Sequence, residues 1–313
     1  MIKRVVVVFL LLIILVVSSF YVAVNKPKDK EYQEDILFIV NYGDGLKSIG
    51  LNLYQEDLVW HNSIFIAYAI ISNKSQSLKA GHYLLNKSMS IVDIVNVFYL
   101  GNSAEQRATI IEGWNKNDIA EYLSNTIADF DADVFLSNGA EGYLYPDTYN
   151  IPYGYTEEDI IQLMLNNFNK KITEEMRADI ASHGKTISDI VIMASIIEKE
   201  VRTIEDMALV AGVLWKRIEH NIPLQSCATI VYITGKKSTQ VSSEETRIDS
   251  PYNTYINRGL PVGPISNPGI RSIEAAIYPK DSEYFFYLSK PDGETVFSKT
   301  FDEHVQAKNK YLK

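Results

Sequence analysis

The pattern of apolar and polar residues predicts a long uncharged helix at the N-terminus of this chain. After Lys3 and Arg4 the sequence carries no charge from Val5 to Val24. An apolar run of this length is enough for a helix that crosses a bilayer. The run ends in Tyr-Val-Ala-Val, which is a poor cleavage site for a signal peptide. The sequence therefore predicts an uncleaved membrane anchor.

The segment after the anchor predicts a strand–helix–helix–strand unit with a closing helix. Strands are expected at Ile36–Val40 and Gly81–Leu85, with two helices between them. Ser90 and Asp93 have the spacing of a capping box, and Gly101 is suited to end the helix that they begin. The polar residues 25–35 form a short stalk before this unit, and residues 101–106 are its best boundary.

The remainder mixes helices and strands without a regular β-α-β alternation, which predicts the α+β class. A strand is expected at 107–111, a helix near 118–124, and a long helix after Thr156. Pairs of Thr with Asp or Glu three residues later predict three more helix starts, at Thr186, Thr203 and Thr300. Pro291-Asp292-Gly293 between two apolar runs predicts a β-hairpin near the C-terminus.

Glu198 interrupts the apolar face of one predicted helix. The apolar residues there have the spacing of a single helical face: Ile187, Ile190, Val191, Ala194, Ile197 and Val201. Glu198 falls on that face, whereas Lys199 and Glu200 are expected on the polar side. A carboxyl among apolar neighbours is penalised in its charged form and is suited to act as a general acid. The alternative is a glutamate that reaches solvent or pairs with a base.

Three segments fit neither a helix nor a strand and combine polar, aromatic and glycine residues, at 141–149, 224–229 and 250–269. Rigid loops of this kind beside a carboxyl suit a carbohydrate-binding cleft. The alternative is that they are structural turns. That is the expectation for four of their residues: Gly263, Pro264, Pro268 and Gly269.

Composition excludes several functions. The net charge is -9 with no basic block, which argues against a nucleic-acid partner. Cys227 is the only cysteine, so no intrachain disulfide can form, and an exported protein without disulfides is typical of bacteria. The five histidines have no metal-ligand spacing, and no nucleotide-binding or serine-hydrolase motif occurs. We therefore expect no metal and no cofactor.

Ordered motifs carry a resemblance to one family. They are Glu-Gly-Tyr-Leu-Tyr-Pro-Asp-Thr-Tyr (141–149), Ala-Ser-Ile-Ile-Glu-Lys-Glu (194–200), Leu-Gln-Ser (224–226), Tyr-Asn-Thr-Tyr (252–255), Gly-Leu-Pro-Val-Gly-Pro-Ile-Ser-Asn-Pro-Gly (259–269) and Val-Phe-Ser-Lys-Thr (296–300). With them the chain resembles the MltG (YceG-like) family of membrane-anchored endolytic murein transglycosylases over nearly its whole length. It departs from the family at Cys227-Ala228, where many members have Asp-Pro, so no role of that Asp is carried over.

The resemblance implies an organisation into a cytoplasmic tail (1–4), a transmembrane anchor (5–24), a stalk (25–35), a LysM-like subdomain (36–103) and a mixed α+β catalytic domain (104–313). The catalytic domain is expected outside a bacterial cell membrane that the chain crosses once. Peptidoglycan glycan strands are the implied substrate. Partners in the cell-wall synthesis machinery are also implied, although no residue identifies them.

The same resemblance implies that Glu198 is catalytic, as the helical pattern had indicated independently. The expected reaction is lytic cleavage of the β-1,4 bond between N-acetylmuramic acid and N-acetylglucosamine within a strand, which leaves 1,6-anhydro ends. Candidate substrate-binding residues lie in the irregular segments: Glu141, Tyr145, Asp147, Tyr149, Gln225, Tyr252, Asn253 and Asn267.

Two alternatives remain open at this point, a wall-binding protein without activity and a hydrolytic muramidase. An ordinary glycosidase needs a second carboxylate. Glu141, Asp147 and Glu200 are the candidates, and Glu200 is the weakest because it points about 200° around the helix from Glu198.

Overall fold

The computed structural model describes residues 2–236, 238 and 240–312. These residues form thirteen α-helices and six strands, and the strands pair into three two-stranded sheets. The predicted α+β class is thereby confirmed. The chain divides into two compact units. One takes the chain up to Gln106 together with Asn150–Gly154, and the other takes Arg107–Tyr149 and the chain from Tyr155 onward.

The N-terminal helix α1 spans Ile2–Asn25. Among the described residues it is the only single helix long and apolar enough to cross a membrane. The large apolar side chains from Val5 to Val17 are exposed, as a lipid-facing helix requires. Near its end, Phe20 and Val24 pack against the core of the first unit. These features fit a single-pass anchor.

The first unit is built around a small antiparallel sheet. Its elements are β1 (Ile36–Val40), α2 (Leu46–Gln55), α3 (Asn62–Ile71), β2 (Gly81–Leu85) and α4 (Ile91–Leu100). Phe38 of β1 lies opposite Tyr83 of β2, and both rings contact Phe98 of α4. The expected capping box at Ser90 is present, and Gly101 ends α4 in the left-handed conformation. The elements predicted for this segment are therefore confirmed.

A two-stranded ribbon pairs β3 (Glu105–Thr109) with β4 (Thr148–Pro152). The strand β3 begins two residues earlier than the sequence predicts. The strand β4 begins within a segment that was expected to be irregular. It alternates buried Tyr149 and Ile151 with exposed Thr148 and Asn150, which is the period of a half-buried strand. The division between the two units falls within both strands.

The second unit is mainly helical and ends in a hairpin and a final helix. Its helices are α5 (Lys116–Thr126), α6 (Ala132–Asn138), α7 (Glu157–Lys171), α8 (Glu174–Ser182), α9 (Ile187–Glu200), α10 (Ile204–Glu219), α11 (Cys227–Thr234), α12 (Ile270–Ile277) and α13 (Phe301–Tyr311). The predicted hairpin is confirmed as β5 (Phe286–Ser289) and β6 (Thr295–Ser298), which pair antiparallel.

The helix α9 is the central element of this unit. It packs against α8, α10, α11 and α12, and every residue from 190 to 197 is buried. The sequence predicted one buried face for this helix, but the helix is buried on all sides from 190 to 197 and has no polar face there. Glu198 escapes full burial because it lies in the last turn, at the edge of the core.

Candidate active site

The carboxylate of Glu198 lies at the N-terminus of α12. Its Oε2 accepts a hydrogen bond from the backbone N–H of Gly269, the N-cap of α12, at 3.0 Å. It accepts a second from the hydroxyl of Ser272 at 2.7 Å. A helix N-terminus carries free N–H groups and a partial positive charge, so it stabilises an anion. Glu198 is half-buried and close to the glycine-rich loop that ends at Gly269.

The turn Glu112-Gly113 lies directly against Glu198. Gly113 has φ +80°, and a Cβ at this position would be 3.3 Å from Cγ of Glu198. Glycine is therefore favoured by both the left-handed backbone and the close approach. The ammonium of Lys199 donates to the carbonyl of Gly113 at 3.1 Å. The residue next to Glu198 in the sequence thus fixes the turn that contacts Glu198.

Asn267 joins this turn to the loop that precedes α12. The N–H of Gly113 donates to the carbonyl of Asn267 at 2.9 Å, and the N–H of Asn267 donates to the carbonyl of Trp114 at 2.8 Å. The side chain of Asn267 is fully buried. Its Nδ2 donates to Trp114, and its Oδ1 accepts from the N–H of Leu144. The two loops are therefore held side by side by reciprocal hydrogen bonds.

Glu112 contributes a second carboxylate next to Gly269. One carboxylate oxygen of Glu112 lies 2.8 Å from a guanidinium nitrogen of Arg271. The other lies only 2.0 Å from the position that a Cβ on Gly269 would occupy. Gly269 has an ordinary φ of −77°, so its glycine is required by this approach and not by the backbone. Gly269 therefore lies between two carboxylates, and its expected role as a structural turn stays a prediction.

Glu141 is half-buried and braces the loops behind Glu198. Both of its carboxylate oxygens accept from the N–H of Lys116, the first residue of α5, at 3.1 Å. One also accepts from Nδ2 of Asn267 at 2.9 Å. Burial raises the pKa of Glu141 to about 7, against the effect of these hydrogen bonds. These bonds favour a role in bracing the loops, and contact of Glu141 with substrate stays a prediction.

Tyr145, Asp147 and Tyr149 form one bonded cluster. The hydroxyl of Tyr149 donates to the carbonyl of Tyr145, and both rings are buried. Asn167 donates to the hydroxyl of Tyr149 and to Asp147. The bond from Asn167 is the main reason that the pKa of Asp147 is lowered. Burial raises the pKa of Tyr145 to about 12. These contacts hold the segment in place, and substrate binding by it stays a prediction.

The remaining candidates lie in a neighbouring pair of loops. Gln225 is exposed and has φ +51°, a strained conformation for a residue with a side chain, and its N–H donates to Thr254. Asn253 is fully buried and donates to two carbonyls of its own loop. The ring of Tyr252 packs on that of Tyr232 at 5.0 Å. Of the three, only Gln225 is exposed.

Comparison with known proteins places these features in a family. A family model described as the YceG-like family matches residues 38–310. The chain belongs to the YceG-like family. The resemblance drawn from the ordered motifs is thereby confirmed.

Named relatives of this YceG-like chain are bacterial. A Bacillus subtilis protein named endolytic murein transglycosylase is 30% identical, and the match covers 92% of this chain and 88% of the relative. A protein of the same name from Streptococcus pneumoniae D39 is 31% identical, and the match covers 89% of this chain but 58% of the longer relative. A crystal structure of a YceG-like protein from Listeria monocytogenes has a TM-score of 0.62 and 29% identity, covering 88% of this chain and 99% of that one.

Glu200 of this YceG-like chain does not point to the polar side, and that expectation was wrong. Its carboxylate accepts from the hydroxyl of Ser226, the N-cap of α11. Burial raises the pKa of Glu200, opposed by the hydrogen bonds from Ser226 and Tyr287. The helical period predicted the direction of the side chain, but not that α11 covers that side. Glu200 therefore holds the start of α11, next to Gln225.

Most of the immediate neighbours of Glu198 in this YceG-like fold could not be predicted from the sequence. Glu112, Gly113, Lys199, Arg271 and Ser272 were not among the predicted site residues. One signal was available, because Glu112-Gly113 follows directly after a predicted strand, where functional side chains are often placed. Lys199 lies in the motif at 194–200, but nothing in that motif indicates that its ammonium binds the carbonyl of Gly113. Arg271 and Ser272 belong to α12, and no local pattern marks them.

Proposed function

We propose that this chain is an endolytic murein transglycosylase in which Glu198 acts as acid and then as base. Its relatives from Bacillus subtilis and Streptococcus pneumoniae, named above, support the general activity. The observation that carries the residue assignment is the position of Glu198, whose carboxylate is anchored through one oxygen between two glycine-containing turns.

The two oxygens of Glu198 are suited to different tasks. Oε2 accepts from Gly269 and Ser272, and no hydrogen bond to Oε1 occurs among the described residues. A proton on this carboxyl therefore resides on Oε1. Oε1 gives it to the glycosidic oxygen of the leaving N-acetylglucosamine. The two donors on Oε2 then stabilise the carboxylate that remains.

The same carboxylate completes the reaction. Positive charge develops at C1 of the muramoyl residue as its bond to the leaving oxygen breaks. Glu198 takes the proton of the C6 hydroxyl of that sugar, and the C6 oxygen attacks C1 to form the 1,6-anhydro ring. One residue serves as acid and base because the attacking group belongs to the substrate. An internal nucleophile also has a large entropic advantage over water.

The candidate substrate residues divide into two groups under this proposal. Gln225 is exposed on a fixed, strained backbone and is suited to contact a sugar directly. Tyr252 is half-buried and lies in the loop whose Thr254 accepts from the N–H of Gln225. The other candidates form hydrogen bonds that keep the loops in position behind the cleft. Four of them are buried, namely Tyr145, Tyr149, Asn253 and Asn267, whereas Glu141 and Asp147 are half-buried.

We further propose that α1 anchors the protein in the bacterial membrane, with residues 1–4 inside and the body outside. Cleavage there acts on strands close to the membrane. Residues 36–103 form a LysM-like subdomain that grips glycan or orients the catalytic domain, residues 104–313. The order of strands and helices in the first unit supports the assignment of residues 36–103 as a LysM-like subdomain. Partners in the wall-synthesis machinery remain part of this proposal.

The test is digestion of purified glycan strands with mass spectrometry of the new ends. The wild type is expected to leave anhydro ends, and Glu198→Gln is expected to leave the strands intact while keeping the melting temperature of the wild type. Glu274→Gln, an exposed carboxyl on α12, is the matched control and should cleave normally. Ends that gain water indicate a muramidase, and no cleavage by any form indicates a binding protein. Activity retained in Glu198→Gln would refute the residue assignment.

A further inference from the structure

We propose that Glu112 is a second functional carboxylate of this site, which contacts the reacting sugar and stabilises the positive charge at its C1. Arg271 is its positioning residue. The inference rests on the proposed lytic function and adds a residue that neither the motifs nor the helical pattern had indicated.

The two carboxylates share one glycine. Oε2 of Glu198 lies 3.0 Å from the backbone nitrogen of Gly269. Oε1 of Glu112 lies 2.0 Å from the position that a Cβ on Gly269 would occupy. Because the nitrogen and Cβ of one residue are joined through two short bonds, these two oxygens are at most about 8 Å apart. Carboxylates that act on one glycosidic bond are separated by roughly 5 to 9.5 Å. A single sugar ring can therefore contact both.

The backbone that carries Glu112 is fixed before any substrate arrives. Gly113 and Trp114 exchange hydrogen bonds with Asn267, and Lys199 holds the carbonyl of Gly113. Arg271 then fixes the side chain of Glu112 from the first turn of α12. A charge held in place in this way stabilises a transition state without the cost of reorganising at the moment of reaction.

Stability alone gives a weak reason for this arrangement. The side chains of Glu112 and Arg271 are 37% and 47% exposed, and ion pairs with that exposure contribute little to folding. Yet Gly269 must lack a side chain to let Glu112 in, even though its backbone conformation is open to any residue. Because folding does not need the close approach of Glu112 to Gly269, we take this approach as a sign of function.

The two carboxylates then divide the work. Glu198 must carry a proton at the start, and its charge appears only after it has protonated the leaving oxygen. Glu112 takes no part in these proton transfers, and Arg271 holds its carboxylate next to Gly269 while the positive charge at C1 is developing. Pairs of carboxyl groups in different environments commonly take separate roles in this way.

The test compares Glu112→Gln, which keeps the shape and removes the charge, with Glu112→Asp and the control Glu274→Gln. We expect kcat of Glu112→Gln on purified glycan strands to fall at least about tenfold while KM changes less than about twofold. Glu112→Asp should recover part of kcat. The product should remain anhydro in every active form.

Arg271→Met keeps the test informative if Glu112→Gln folds poorly. This variant keeps the carboxylate of Glu112 but removes the ion pair that fixes its position. We expect kcat to fall in Arg271→Met and to remain normal in Glu274→Gln. A wild-type kcat in a folded Glu112→Gln, or an equal loss in Glu112→Gln and Glu274→Gln, would overturn the inference. Either result would leave the proposed function standing if wild type makes anhydro ends and Glu198→Gln does not. Absence of anhydro ends from wild type would instead overturn the proposed function.

Discussion

A methyl group added at Gly269 should disturb the active site far more than the fold. In Gly269→Ala the backbone conformation is acceptable, because φ −77° and ψ 172° lie in the extended region that alanine adopts freely. The new Cβ would lie 2.0 Å from Oε1, 2.3 Å from Cδ and 2.8 Å from Cγ of Glu112. These three nearest atoms all belong to one flexible side chain, so Glu112 must swing away from Arg271.

The cost to stability follows from the contacts that are lost. An exposed ion pair contributes at most about 1 kcal/mol, and replacing glycine by alanine at an N-cap costs about 1 kcal/mol. A loss of about 1–2 kcal/mol lowers the melting temperature by only a few degrees in a domain of this size. If Glu112 acts as we propose, kcat should fall at least tenfold, which corresponds to about 1.4 kcal/mol of the barrier.

Gly212→Ala is the matched control, because it also adds one methyl in a crowded place. A Cβ there would lie 2.1 Å from the carbonyl oxygen of Lys280, which is backbone and cannot swing away. Overpacking of this kind costs about 3 kcal/mol. We expect Gly212→Ala to melt much lower but to keep its rate per folded molecule. Calorimetry and initial rates on glycan strands measure both quantities. A Gly269→Ala protein with wild-type kcat would show that the position of Glu112 does not matter for the reaction.

Two further changes test the surroundings of Glu198. Ser272→Ala removes one of the two donors to Glu198. Because hydrogen bonds to charged groups are worth roughly 1.5–3 kcal/mol, initial rates should fall at least about tenfold. An unchanged rate would contradict the proposal that the donors on Oε2 stabilise the carboxylate. Glu141 has a native pKa of about 7, above the 4.5 of a free carboxyl, so the native state holds the proton more tightly and the free energy of unfolding should decrease between about pH 4.5 and 7. The decrease is at most about 3 kcal/mol. Urea unfolding at several pH values should show that this decrease is absent in Glu141→Gln. If the free energy of unfolding falls equally with pH in both proteins, Glu141 is not the cause.

Local sequence signals were sufficient where the determinant is local. The capping pairs that begin with Thr186 and Thr300 mark the starts of α9 and α13 to the residue. A capping box needs only a side chain and a backbone group three positions apart, so the sequence contains all of it. The anchor is equally local, because length and lack of charge define it.

Signals failed where an element depends on distant partners. The helix α12 has eight residues and follows a loop rich in proline and glycine, so its pattern alone does not distinguish it from that loop. The strand β4 exists because β3 pairs with it. Short elements of this kind are stabilised by packing more than by propensity.

The site shows the same division. Glu198 could be found because its own helix marks it, but its partner Gly269 is 71 positions away and Arg271 is 159 positions from Glu112. Nothing in either segment specifies that they meet. For Glu200 the helical period predicted the direction of the side chain correctly, but not that α11 covers that side of the helix. The sequence therefore indicated the carboxyl that we propose to react, but not most of the groups that surround it.

The most direct measurement is the mass of the new chain ends made by the wild type and by Glu198→Gln from purified glycan strands in isotopically labelled water. We expect anhydro ends without incorporated label from the wild type and no new ends from the variant. Labelled reducing ends from the wild type, or anhydro ends from the variant, would contradict it.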